Sequence, residues 1–240
     1  TNVVDCPGNA IGPFNVADFA IGVEPQLGDL IINELYPEPD TLESPNLPNG
    51  EFIELHNTSS QAVRTTNLFI SDGTNTAQIP TAVIEPGGYL ILCDDDFEAE
   101  YSLFGNTLGF ASIPSLNNTG EFISLRNDTG GVLDGVLYDK TTYQNANRSE
   151  GGYTLERINP EDPCGGSINW RASEAPNHGT PASINSVYNP NFGTAEPEIE
   201  AVVIENIDLI EVFFTKDMDS ASLANATYTL SPTGIGSIVR

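Results

Sequence analysis

The densest set of chemistry-bearing side chains is Asp94-Asp95-Asp96, with Glu98 two residues on. Such a run offers the hard carboxylate oxygens that calcium takes up. No EF-hand loop or calcium-binding nonapeptide repeat accompanies it. The same aspartates open the one helical pattern in the chain, Asp94 to Phe104, in which Phe97, Tyr101 and Phe104 share a face. There they would cap the helix and complement its dipole. Asp5 with Asn9 forms a second acidic candidate, in a loop. Calcium, at Asp94, Asp95, Asp96 and Glu98, is the one ligand ion the residues bring forward; no other cofactor is expected.

Glu51 and Glu54 are the other close carboxylate pair. A hydrolase would need one carboxyl of such a pair held protonated beside an ionised one. With 34 Asp and Glu in the chain, close pairs arise from composition alone, and a solvated strand face is the expectation. Histidine is scarce: His56 falls in strand alternation and His178 in a turn before Gly179. No G-x-S-x-G elbow, HExxH helix or phosphate-binding loop is present. Catalytic residues are therefore not expected, and the chain reads as a non-enzyme. The lone Trp170 reads as a core aromatic; stacking on a sugar ring is the alternative use of its surface.

The 34 acidic residues face only 8 Lys and Arg, a formal net charge of −26. That excludes a phosphate-facing protein, which must neutralise phosphates with cations. An anionic membrane surface would repel the chain as well. No apolar run approaches the roughly 20 residues of a transmembrane helix. Gly (22), Pro (17) and Asn (23) make up about a quarter of the chain and punctuate turns rather than helices. With 11 Phe, 8 Tyr and many short aliphatic runs between turns, the composition predicts an all-β sandwich or barrel. Scarce lysine, abundant Asn and Thr, and strong acidity suit a secreted or cell-surface protein. The first residue is Thr1, which reads as a mature form or an excised piece.

Strands are expected at Phe19–Val23, Asp29–Leu35, Asn67–Ser71, Tyr89–Cys93 and Gly131–Tyr138. The middle of the chain repeats itself. Gly50-Glu51-Phe52-Ile53-Glu54-Leu55-His56-Asn57 returns 70 residues later as Gly120-Glu121-Phe122-Ile123-Ser124-Leu125-Arg126-Asn127. Alternation would put Phe52, Glu54 and His56 on one strand face, and Glu51, Ile53 and Leu55 on the other. Two copies do not make a solenoid. They predict two equivalent central strands with the same exit turn.

Gly28-Asp29-Leu30-Ile31-Ile32-Asn33-Glu34-Leu35, then Glu51 to Asn57, then Pro86-Gly87-Gly88-Tyr89, resembles the lamin tail domain family. Thr154-Leu155-Glu156-Arg157, Asn169-Trp170, and Gly179-Thr180-Pro181 with Asn185-Ser186-Val187 are similar to its bacterial branch. The resemblance implies an immunoglobulin-like β-sandwich without catalytic residues, used as an accessory module in secreted and cell-surface proteins of the Bacteroidetes type. The ends resemble partial bacterial Ig-like domains. Val212 to Asp219, Ser222-Leu223 and Tyr228-Thr229-Leu230 look like the start of one, and Asp5-Cys6-Pro7-Gly8-Asn9 with Phe19-Ala20-Ile21 like the end of another. The expected order is a preceding Ig-like end (1–26), the lamin tail domain (27–190), a linker (191–197) and a following Ig-like start (198–240).

Phe52, Ile53, Leu55, Tyr89, Phe122, Ile123, Leu125 and Trp170 are the expected core. Cys93 and Cys164 both fall in the complete domain and are the favoured bridge, closing a loop worth on the order of 4 kcal/mol. Pairing of Cys6 with either, and unbridged thiols, remain alternatives. The functional expectation is a non-catalytic extracellular spacer or adhesion module in a multidomain or filament-forming protein. Its partners would be neighbouring Ig-like domains or head-to-tail copies of itself, and a surface glycan or protein. The alternative is a glycan- or calcium-binding accessory module that targets a linked enzyme.

Overall fold

The computed structural model describes residues 6, 7, 9, 21–40, 46–194, 196–206, 209–214, 218 and 220–227. Phe19 and Ala20 of the first expected strand, Asp5 of the second acidic candidate, and Tyr228 to Leu230 lie outside them. The described chain is all-β. In chain order the strands are β1 (Leu30–Tyr36), β2 (Phe52–Asn57), β3 (Val63–Arg64), β4 (Phe69–Ser71), β5 (Thr76–Gln78), β6 (Val83–Ile84) and β7 (Tyr89–Cys93). They continue with β8 (Thr107–Gly109), β9 (Gly120–Arg126), β10 (Val132–Asp139), β11 (Leu155–Arg157), β12 (Trp170–Ala172), β13 (Ile199–Asn206) and β14 (Leu209–Phe214). Two short helices, α1 (Glu98–Tyr101) and α2 (Ser220–Asn225), complete the elements. No helix among the described residues is long and apolar enough to cross a membrane.

Two sheets form an immunoglobulin-like sandwich. One has the order β12-β11-β1-β2-β7-β8, and the other β10-β9-β4-β5. Leu30, Ile32, Leu35, Ile53, Leu55, Leu90 and Leu92 from the first meet Ile70, Ile123, Leu125, Leu133 and Val136 from the second in one buried core. This is the alternation expected of strands with one face against a partner sheet. Trp170 belongs to the same core, 1% exposed, with the Arg157 guanidinium 5.0 Å above its ring. It is thus a core aromatic and is out of reach of a sugar. The small β3–β6 ribbon is bridged at Val63 by Val23, which ties residues just before the sandwich to it.

The internal repeat marks the middle of each sheet. β2 lies between β1 and β7, and β9 between β10 and β4. Their exit turns match: the Asn57 carboxamide oxygen accepts from the Ser59 amide, and that of Asn127 from the Thr129 amide. The two strands differ on their outer faces. Phe52 is fully buried with Tyr36, Leu47, Ile91, Cys93 and Tyr101 in a second apolar cluster. Phe122, expected in the core, is 39% exposed and lies across Gly135 of β10. The reason is coverage. The loop at Leu47 and helix α1 cap the first sheet at Phe52, and among the described residues no such cover lies over Phe122. Tyr89 also departs from expectation: it is half-buried on the outer face and stacks on His56 rather than entering the core.

The expected helix over 94–104 is a 3-10 turn, Asp95–Phe97, followed by the single α-turn α1. Tyr101 is its anchor, buried edge-on against Phe52 at 5.1 Å, its hydroxyl donating to the Gly50 carbonyl at 2.5 Å. The expected Cys93–Cys164 bridge is not formed. Cys93 pairs with Phe52, which pairs with Tyr36 at the end of β1. Pro163, next to Cys164, packs instead at Gly28, before the other end of that strand. The seven residues of β1, Leu30–Tyr36, separate the two by about 20 Å, and a bridge needs Cα atoms within about 7 Å.

Equivalent truncations should therefore diverge. Phe52→Ala is expected to cost about 3–5 kcal/mol in urea unfolding, and Phe122→Ala less than about 1 kcal/mol. Equal losses would contradict the one-sided cover.

Candidate functional site

The outer face of the six-stranded sheet is built in rows, one from each register position. Tyr36, Phe52 and Cys93 are paired across β1, β2 and β7 in the first row. Glu156, Glu34 and Glu54 are paired across β11, β1 and β2 in the second. Ile31, His56 and Tyr89 are paired across β1, β2 and β7 in the third. All three glutamates are 0% exposed. Glu54 was expected on a solvated face; it is buried because a segment without strand structure, residues 175–187, closes over the row.

That segment is held by the carboxylates themselves. Glu34 Oε1 accepts from the Thr180 amide at 2.8 Å and the Thr154 hydroxyl at 2.5 Å. Glu54 accepts from the Ala182 amide at 2.5 Å and from Asn33 Nδ2 at 2.9 Å. Glu156 accepts from the Thr180 hydroxyl at 3.0 Å, the Ser186 hydroxyl at 2.7 Å and the Val187 amide at 3.1 Å. Asn185 completes the closure, donating to the carbonyls of Asn33 and Arg157. A closing segment without a sheet of its own finds its backbone partners in side chains.

A β-bulge in β1 sets this arrangement. Register shifts between Ile32 and Glu34. The bulge lets Leu30 and Ile32 before it, and Leu35 after it, all enter the core. Ile32, just before the shift, is in register with Leu55 of β2, while β11 pairs with β1 at Glu34 and Leu35 beyond it; buried side chains meet the Ile32 amide and carbonyl. Asp134 Oδ2 accepts from the Ile32 amide at 2.7 Å, and Arg157 Nε donates to the Ile32 carbonyl at 2.8 Å. Asp134 and Arg157 are themselves ion-paired at 2.5 Å, each side chain 2% exposed. Burial nonetheless leaves the Asp134 carboxyl above its ordinary range, against the opposing pull of Arg157.

Burial raises Glu34 well above the usual carboxylate range, with repulsion from Glu54 and Glu156 adding to it. Burial likewise pushes Glu54 up to about 8, opposed by the bonds from Asn33 and Ala182. Glu34 Oε2 is buried and has no hydrogen-bond partner among the described residues. The row is thus kept short of full ionisation, as closely spaced carboxyls in low dielectric must be.

The other sequence candidates are dispersed. The carboxylates of Asp94, Asp95 and Asp96 converge within 4.8 Å, and Glu98 is outside that group. Asp94 Oδ1 accepts from the Asp96 amide at 3.0 Å, the capping role expected of it. His56 stacks on Tyr89 (4.4 Å) with Nδ1 against the Gly88 carbonyl, and His178 stacks on Tyr153 (3.8 Å). Burial first, then Glu98, Asp94 and Asp95, pushes the Cys93 thiol up to about 12, which leaves it unreactive.

Residues 24–140 match the family model of the Lamin Tail Domain. The lamin tail match takes in β1 to β10, which are all of the four-stranded sheet and four strands of the six-stranded one. Strands β11 and β12, which complete that sheet, and the closing segment 175–187 lie beyond the lamin tail match. No curated protein matches the chain.

Two outcomes follow. A folded pKa raised above the unfolded value of 4.5 gives stability that is full below that pH and declines as pH rises through about 8. Unfolding free energy should therefore fall between pH 5 and pH 8, by roughly 1–4 kcal/mol. Glu34→Gln keeps Oε1, places a donor at the unpartnered Oε2 and should flatten that decline; parallel profiles would contradict the coupling. Asp134→Asn leaves Arg157 buried without a counter-charge and should cost about 3–5 kcal/mol in urea unfolding at pH 7.

Proposed function

We propose that the chain is a non-catalytic, extracellular structural and adhesive module that spaces and presents neighbouring domains of a multidomain surface protein. One observation carries this reading: the deep carboxylates, which in an enzyme would face a cleft, are turned onto the chain's own closing segment. The carboxylates that do line clefts are different. Asp94 caps a turn by accepting from the Asp96 amide, and Glu51 accepts from the Leu116 amide at 2.7 Å. A titratable pair with opposed protonation needs, aimed at an open site, is what catalysis would require.

The charge of −26 supports the spacer role, because self-repulsion keeps a string of modules soluble and apart. The β13–β14 hairpin supports Ig-like neighbours. Ile199, Val202, Ile204 and Phe213 are each about half exposed or more, and a two-stranded ribbon of that kind gains stability only from further strands. Those strands would come from a following Ig-like domain or from a head-to-tail copy.

Antibody against the chain should label intact producing cells or their medium; signal appearing only after lysis would overturn the extracellular assignment. Purified chain should not hydrolyse chromogenic phosphomonoester, phosphodiester or glycoside substrates. Turnover abolished by Glu54→Gln would overturn the non-catalytic reading.

A further inference from the structure

In the third row of the outer face Ile31 is buried, and the His56–Tyr89 end is left open by the closing segment. Past Asn185 the chain runs by β11, the Asn189 amide donating to the Ile158 carbonyl, and a cleft of 510 Å³ is lined by its Tyr188 and by the His56–Tyr89 pair. That volume falls within the roughly 300–1,000 Å³ of small-molecule sites. Its walls are aromatic and apolar: the stacked His56 and Tyr89 on one side, Tyr188 (42% exposed) and Ile184 (67% exposed) on the other. Its floor is polar and rigid. Asn33 and Asn185 are buried and bonded to each other at 2.9 Å, and Arg157 beneath is neutralised by Asp134. Glu161 stands at the rim.

The hydrogen-bonding capacity of these walls is unspent. Among the described residues neither the Tyr89 nor the Tyr188 hydroxyl has a hydrogen-bond partner. His56 Nδ1 faces the Gly88 carbonyl at 3.1 Å, and burial holds the imidazole below its ordinary pKa. Neutral, with its proton on Nδ1, it leaves Nε2 as an acceptor. Flat rings flanked by donors and acceptors suit a ligand that has apolar faces and hydroxyls at its edges. A pyranose has both. Fixed charge selects against the alternatives: the only cation in the lining is already paired, and a chain of net charge −26 repels an anion.

We infer that this cleft is a binding site for neutral pyranose glycans, with Tyr89 and Tyr188 as the stacking residues and Glu161 and His56 as acceptors for sugar hydroxyls. It gives the adhesive part of the proposed function its ligand class and rests on that reading; the spacer part does not depend on it.

The test is affinity electrophoresis of the full chain in gels containing xylan, mannan, dextran or β-1,3-glucan, with alginate and pectin as acidic counterparts. At least one neutral polysaccharide should retard the chain. Calorimetric titration with the hexasaccharide of that polymer should then show about a tenfold loss of affinity for Tyr188→Ala. Tyr188 is exposed enough for the fold to survive, which thermal melting checks, and Phe122→Ala serves as a distant aromatic control with unchanged affinity. Retardation by none of the neutral polymers, retardation by alginate or pectin alone, or undiminished binding by folded Tyr188→Ala would overturn the site. Cell-surface labelling without glycan binding would leave the spacer reading standing and remove this one.

Discussion

The β1 bulge at Ile32–Glu34 is the constraint on which the rest of the molecule depends. A regular strand would carry Leu35 to the outer face and Glu34 into the core. The extra residue reverses this, so that Leu30, Ile32 and Leu35 all pack inward and Glu34 aligns outward with Glu54 and Glu156. Ile32 keeps Leu55 of β2 as its register partner, but β11 pairs with β1 at Glu34 and Leu35, past the bulge, and the Ile32 amide and carbonyl are left to side chains. An unpaired buried backbone group costs about as much as a lost hydrogen bond. Asp134 and Arg157 therefore have to be buried, and once buried they have to be paired. One backbone irregularity thus draws in both sheets: Asp134 comes from β10 in one and Arg157 from β11 in the other.

The glutamate row follows from the same shift, and it explains how the sandwich holds a segment that forms no strand. Residues 175–187 contribute amides and hydroxyls, and the row contributes acceptors. Three carboxyls side by side would repel one another if all were ionised, so the raised pKa values of Glu34 and Glu54 belong to the closure rather than to preparation for chemistry. The outer face then divides by what covers it. Helix α1 seals the aromatic row, residues 175–187 seal the carboxylate row, and the His56–Tyr89 row remains open to solvent.

Much of the fold was legible because it is local. The aliphatic runs in Asp29–Leu35 and Tyr89–Cys93 and the 70-residue echo placed the central strand of each sheet. Trp170 followed from its expected place in the core. What was not legible depends on long-range cover. Phe52 and Phe122 occupy the same position of the same motif, and the cover from distant Leu47 and Tyr101 distinguishes them. Glu54 read as a solvent-facing residue because an acidic chain hides three meaningful glutamates among 34 acidic residues. A signal was present nonetheless: Glu34 and Glu54 each interrupt strands otherwise rich in aliphatic residues. The Cys93–Cys164 pairing failed for a related reason, since spacing in sequence carries no information about which end of β1 each cysteine approaches.

Hydrogen exchange resolved by residue tests the central claim most directly, that the bulge, the buried ion pair and the closing segment form one cooperative structure with the sandwich core. The Ile32 amide, bonded to Asp134, and the Thr180, Ala182 and Val187 amides, bonded to the glutamate row, should exchange with the same opening free energy and denaturant dependence as the core amides of β2. Exchange of the three closing-segment amides through a separate, low-energy opening, with β2 still protected, would contradict the account.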